Sequence, residues 1–433
     1  AVIPFLWILP LILYLSTFII CFENQRWYKQ KIFIPLFIIS LLGMIYSRLN
    51  QETISPGTLI GIHLFMLFCS CMVCHGELYR LRPKPVHLTG YYLTISAGGA
   101  AGGLFVAVIA PLIFSTYLEI HLGLLATVIF ILLTDQKLKP SQGRRRRFYI
   151  ALLLTIGTAL ILFTDRINQK YQKLIENTRN FFGVISIWEK SPEEPLNHKL
   201  LMRHGTTFHG LQFRHPDKEM IPTAYYSPKS GFGILFRNFP KKQNRNIGIV
   251  GLGVGTIAAY GNKTDQMNFY EINPEVVQMA EKYFTYLEKS RAEIKIIPGD
   301  ARLSMETQPP QNYDILVLDA FSSDAVPVHL LTEEAVQIYL KHIKPNGILA
   351  FHISTMHLNL KSVIKQTADH LNLESAYIET SENPGTGALA SDWILLARSG
   401  SILSSGPVNK ARTRPDYRQE ISPWTDDHIN LLQ

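Results

Sequence analysis

The stretch Asn246–Glu271, NIGIVGLGVGTIAAYGNKTDQMNFYE, decides the reading of this chain. NIGIV is a short apolar run of strand composition. GLGVG follows, and Gly251, Gly253 and Gly255 let the backbone turn tightly with a ligand lying against it. TIAAYG then reads as a short helix and QMNFYE as a second strand. Glu271 follows Gly251 by 20 residues, the spacing at which a carboxylate meets ribose hydroxyls in a βαβ nucleotide fold. NAD is the other ligand such a turn accepts. The spacing here is G-x-G-x-G rather than G-x-G-x-x-G, which favours a different nucleoside.

Downstream, apolar runs and amphipathic segments alternate, which predicts a parallel sheet of Rossmann-like, doubly wound type. Strands fit 246–250, 267–271, 293–297, 314–319, 347–353 and 392–398. Helices fit 255–261, 274–287, 331–343 and 359–371, and the tail 399–433 reads as mostly loop. Ligands of open α/β sheets bind at the carboxyl ends of the strands. Four acids fall there: Glu271, Asp300 in Gly299-Asp300-Ala301, Asp319 at the end of DILVLD, and Asp324 just beyond. One acid at a strand end serves solubility or caps a helix. Four in succession make a ligand-shaped pattern, with room for a ribose at Glu271, an adenine amino group at Asp300 and a cation at Asp319 and Asp324.

Upstream of Asn246 the composition changes twice. The chain has 433 residues, 47% of them hydrophobic, and a formal charge of +8. Residues 1–164 carry long apolar runs and read as a transmembrane helical domain with six candidate spans: 1–22, 32–47, 57–76, 89–115, 121–134 and 148–164. The first has no basic leader or cleavage site and further spans follow, so it reads as a span rather than a signal peptide; segments upstream of Ala1 are expected. No charge falls inside any of these spans, so the membrane part reads as an anchor rather than a transport path. The glycine run Gly98–Gly103 suggests close helix packing. Residues 165–181 read as an amphipathic helical connector, 182–240 as a small β-hairpin subdomain, and 241–433 as the nucleoside-binding domain.

Much of the positive charge flanks membrane segments, as at Arg144–Arg147, which points to lipid headgroups and away from nucleic acid. All four cysteines lie in apolar segments. Cys71, Cys74 and His75 share a helix face, but buried apolar thiols are the simpler reading, and no metal is expected. Loops 23–31, 77–88 and 135–147 hold nearly all the loop arginines and lysines. The positive-inside rule puts them in the cytosol and, with six spans, the soluble domain outside.

GLGVGT, YEINPEVVQMAEKYF, GDAR and YDILVLDAFSSDAVP together resemble the catalytic domain of spermidine synthases, a branch of the class I S-adenosylmethionine-dependent fold. HGELYRLRPKP, RHGTTFHGLQF, PTAYYSP, ASDWILLAR and PWTDDHINLL resemble bacterial proteins in which membrane helices are fused to such a domain. The resemblance implies an integral inner-membrane enzyme that acts on a small sulfonium nucleoside. Glu271 would hold the ribose hydroxyls, Asp300 with Ala301 the adenine, and Gln212 the region near sugar or sulfur. Asp319 would stand beside the sulfonium as catalytic base, and the glycines would carry the nucleoside.

Three departures alter the expected chemistry. The family's glycine loop holds an acid where Val254 stands, and that acid would favour an ammonium over a carboxylate. The acid pair is respaced to Asp319 and Asp324, and Tyr225-Tyr226 stands where the family has Tyr-His-Glu. These departures favour a lyase that cleaves the Cγ–S bond of S-adenosylmethionine, giving methylthioadenosine and homoserine lactone or homoserine. The intramolecular attack would gain from orientation, with Tyr225 or Tyr226 assisting. The alternatives are aminopropyl transfer from decarboxylated S-adenosylmethionine to a polyamine, methyl transfer, or a membrane sensor or transporter with a non-catalytic nucleoside-binding domain.

Overall fold

A computed structural model describes residues 5–50, 53–138, 172–205, 207–240, 244–320, 327–354, 360–398, 402–404, 406–415, 417 and 421–430. Contacts divide the chain into two compact units that part between residues 171 and 172.

The first unit is helical. Its helices are Phe5–Glu23, Gln30–Leu49, Pro56–Arg80, Leu88–Leu104 and Leu118–Leu138, the fourth running on through a π turn to Ile113. Three stretches, Gln30–Arg48, Gly57–Arg80 and Pro85–Ile113, are long and apolar enough to cross a membrane. The apolar helices Ile8–Glu23 and Leu118–Ile131 are shorter. The expected sixth span, 148–164, the basic run Arg144–Arg147 and connector residues 165–171 lie outside the described residues. The run Gly98–Gly103 stays helical, but a Cβ added at any of its four glycines would meet nothing within 4 Å among the described residues. Among the described residues, the expected close packing is not seen there.

The expectation of uncharged spans also needs correction. The third helix continues past residue 76 to Arg80 and takes Glu77 with it. Glu77 is fully buried. It accepts hydrogen bonds from Tyr28 Oη at 2.7 Å, Gln30 Nε2 at 2.8 Å and Arg80 Nη1 at 2.9 Å. A carboxylate is tolerated in such a place only with this many donors. Cys69 and Cys71 are buried, Cys74 is half-buried beside Thr127, and His75 bonds Thr17.

The second unit opens with a four-stranded antiparallel sheet: β1 (Gln172–Asn180), β2 (Gly183–Lys190), β3 (Lys199–His204) and β4 (Thr207–Phe213), in that spatial order. Residues 172–180 are therefore strand, not the end of an amphipathic helix. QKLIENTRN is polar, and a register shift between Leu174 and Glu176 breaks its alternation. Its strand identity comes from pairing with β2, which a local pattern does not carry.

The large sheet follows: β5 (Asn246–Val250), β6 (Gln266–Glu271), β7 (Glu293–Pro298), β8 (Tyr313–Leu318), β9 (Ile343–His352), β10 (Glu374–Thr380) and β11 (Ser391–Ala397). Its order is β10-β11-β9-β8-β5-β6-β7. β5 to β9 pair in parallel, and β11 is antiparallel to both neighbours. Helices Pro274–Tyr283, Ala301–Thr307, Glu333–His342 and Leu360–His370 cross between strands. The doubly wound α/β expectation thus holds, and two hydrophobic clusters pack the faces. The strand order reverses between β5 and β8, which opens a crevice at their carboxyl ends. The helices Ala301–Thr307 and Gly231–Asn238 and strand β10 were not expected from the sequence.

Candidate active site

The glycine turn after β5 is shaped by its neighbours. Gly251, Gly253 and Gly255 have φ of 93°, 53° and 79°, which glycine adopts without strain. A Cβ at Gly251 would stand 2.2 Å from the carbonyl oxygen of Asp319, and one at Gly253 2.8 Å from that of His209. No other residue fits either place. The Gly251 N–H donates to the Tyr270 carbonyl and the Asp319 N–H to that of Val250, both at 2.9 Å. These bonds bind the ends of β5, β6 and β8 into one rim.

A cleft of about 170 Å³ opens over this rim. Gly251, Gly253, Glu271, Asp300, Ala301 and Asp319 all line it, so six residues chosen from sequence meet at one cavity. Glu271 is nearly buried and takes the amides of Leu252 and Asn273 at 2.9 Å, one on each oxygen. Burial pushes its carboxyl above the ordinary range although these amides pull the other way. Asp300 caps the helix Ala301–Thr307, accepting from Leu303 N at 3.0 Å, and its second oxygen lies 2.9 Å from His329 Nε2. Burial opposes its ionisation, but the Leu303 amide and His329 outweigh it and hold the carboxyl below its usual value.

Asp319 is linked to a histidine the sequence reading passed over. His352, at the carboxyl end of β9, places Nδ1 2.6 Å from Asp319 Oδ1 and Nε2 2.8 Å from Ser354 Oγ. Its ring lies between Tyr225, 4.7 Å away, and Trp393, 4.9 Å away. Burial, then the charge of Asp319, pushes the Tyr225 hydroxyl up to about 12.

The remaining expected residues lie elsewhere. Gln212 does not line the cleft. Its amide bonds Thr285 N, Thr285 Oγ1 and the Glu219 carbonyl, each at 2.9 Å, and so fastens β4 to the segment after Pro274–Tyr283. Tyr226 is buried in the core against Trp393 and Phe232. Tyr225 packs its ring on His352 and feels the charge of Asp319, but does not line the cleft. Val254 is buried against Gly210 of β4, where an added Cβ would meet it at 2.6 Å, and does not line the cleft. Asp324 lies outside the described residues.

Beyond His352, the small sheet contributes cleft residues the reading did not select: Phe182, His204 and His209. His209 Nε2 is buried with no hydrogen-bond partner among the described residues. Burial, with His204 adding to it, lowers its pKa to about 3, so the ring is neutral. A polar residue at the end of an apolar strand, as in GILAFH, was the available signal for His352. His209 offered only its place in HGLQF.

No known protein family's model matches the chain. Its sequence is 34% identical over 122 residues to a polyamine aminopropyltransferase of Vibrio vulnificus, covering 27% of this chain and 39% of that protein. It is 30% identical over 137 residues to an N-terminal histidine N-methyltransferase of Emericella nidulans, covering 31% and 22%. The chain thus spans well under half the length of these curated relatives. Among solved structures, a probable spermidine synthase from Corynebacterium glutamicum superposes with a TM-score of 0.41 at 16% identity, over 57% of this chain and 98% of that one. Spermidine synthase from Thermotoga maritima gives 0.37 at 16% identity, over 57% and 81%. The spermidine-synthase-like character read from the sequence is matched by the first of these relatives.

Proposed function

We propose that the second unit is an aminopropyltransferase that binds a sulfonium nucleoside in the β5–β8 cleft. The donor class is decarboxylated S-adenosylmethionine and the acceptor a small polyamine. The observation that carries this reading is the meeting of Glu271, Asp300 and Asp319 with the glycine turn at one cavity. Glu271 would take the ribose hydroxyls, Asp300 and Ala301 the adenine, and the bare backbone at Gly251 and Gly253 the close approach of the nucleoside. Asp319 would face the sulfonium end. There the amine nitrogen attacks the carbon next to sulfur, the C–S bond breaks, and its electron pair leaves with neutral methylthioadenosine. Asp319 takes the proton the new amine sheds. The similarity to a polyamine aminopropyltransferase supports this choice over the lyase first favoured from Val254.

One observation keeps the lyase as a second reading. The position of the family's acid carries a valine packed on β4. As placed, Val254 does not line the cleft, so this position presents no carboxylate to that of S-adenosylmethionine. Product analysis by mass spectrometry separates the two. Methylthioadenosine formed only with decarboxylated donor plus amine supports transfer. Methylthioadenosine with homoserine or its lactone from S-adenosylmethionine alone supports the lyase. In either reading the first unit serves as a bilayer anchor, with the three long apolar helices supporting it and the six-span count belonging to the proposal.

A further inference from the structure

We propose that His352 is a positioning residue for Asp319, an inference that rests on the catalytic place given to that acid. The geometry fixes the tautomer. The Asp392 N–H donates to Ser354 Oγ at 2.8 Å, and Ser354 Oγ lies 2.8 Å from His352 Nε2. With Nδ1 committed to the acid, the Ser354 hydroxyl is free to donate to Nε2. The imidazole hydrogen then sits on Nδ1 and is donated to Asp319 Oδ1 at 2.6 Å. A carboxylate, as acceptor only, demands that direction.

The ring has little freedom to choose otherwise. It is stacked on Trp393, with an interplanar angle of 28°, and faced by Tyr225. Tyr226 stands further off, at 6.5 Å. Trp393 is itself tied down, donating from Nε1 to the Tyr225 carbonyl at 3.1 Å. A chain of Asp392 amide, Ser354, His352 and Asp319 therefore runs from β11 through β9 to the tip of β8. It pins one oxygen of Asp319. The other has no hydrogen-bond partner among the described residues, while Asp319 lines the cleft. One carboxylate oxygen is thus a structural anchor, and the functional reading gives its twin the incoming amine.

The test uses the full chain in detergent. His352→Ala is expected to lower kcat roughly 10- to 100-fold, the scale of a lost hydrogen bond to a charged group, with KM for the nucleoside donor held. His352→Asn, which returns an N–H near Nδ1, is expected to recover part of the loss. Ser354→Ala frees the tautomer and is expected to lower kcat less. An independent readout is the ¹⁵N spectrum of histidine-labelled protein, with His352→Asn identifying the signal. A ring protonated on Nδ1 supports the proposal whatever reaction the protein performs. A ring protonated on Nε2 alone overturns it. So does a His352→Ala variant with unchanged kcat, or one that loses kcat, donor binding and thermal stability together. Absence of methylthioadenosine from every donor with wild-type protein would instead sink the functional reading, and the spectrum would still judge the tautomer.

Discussion

Asp319 is held three ways: its N–H by Val250, its carbonyl by the close approach of Gly251, and one carboxylate oxygen by His352. An Asp319→Asn variant keeps the shape and loses the basic oxygen. It is expected to bind methylthioadenosine as wild type does and to release it roughly 10²- to 10⁴-fold more slowly, checked by single-turnover kinetics. Gly251→Ala attacks the same rim by sterics. The strained backbone alone costs about 1–3 kcal/mol, before the clash with the Asp319 carbonyl. Thermal unfolding should show the loss, and nucleoside binding should go with it. His209 gives a pH signature. Its folded pKa of about 3 lies below its ordinary 6.5. Between these values the unfolded chain binds more protons, so stability falls as pH drops through that window. His209→Gln should flatten part of that slope in melting curves taken from pH 7 to pH 4.

At the scale of elements, the strands legible from sequence were those with dense apolar runs. NIGIV and DILVL are buried between two layers and need no partner to be recognised. QKLIENTRN and ESAYIET were missed because pairing, not composition, makes them strands. The cleft was legible in half. Its acids and glycines lie at strand ends in chain order, and those positions can be read. Its second wall comes from the small sheet, at Phe182, His204 and His209, and folding alone brings that wall over β5 and β6. Gln212 was misplaced for the same reason: its partners, Glu219 and Thr285, are 7 and 73 residues away. Gln212→Ala should therefore act as a structural lesion. It is expected to lower stability by about 1–3 kcal/mol, the cost of stranding buried partners, and to leave the affinity of the folded protein for methylthioadenosine within a few-fold of wild type.

For the whole molecule, the helical unit and the proposed activity of the second unit make different demands on orientation. Under the proposed function, a donor made in the cytosol calls for the second unit inside, against the distribution of basic loops. A reporter fused after Gln433 is expected to read cytosolic, and an external signal would contradict that placement. The central claim is that the β5–β8 cleft holds a sulfonium nucleoside through Glu271. Titration of the full chain in detergent with methylthioadenosine, for wild type and Glu271→Gln, tests it most directly. Saturable binding by wild type is expected, with a roughly 10- to 100-fold weaker affinity for the folded fraction of Glu271→Gln, whose single oxygen can keep only one of the Leu252 and Asn273 amides. Equal binding by both proteins, or none by wild type, would contradict it.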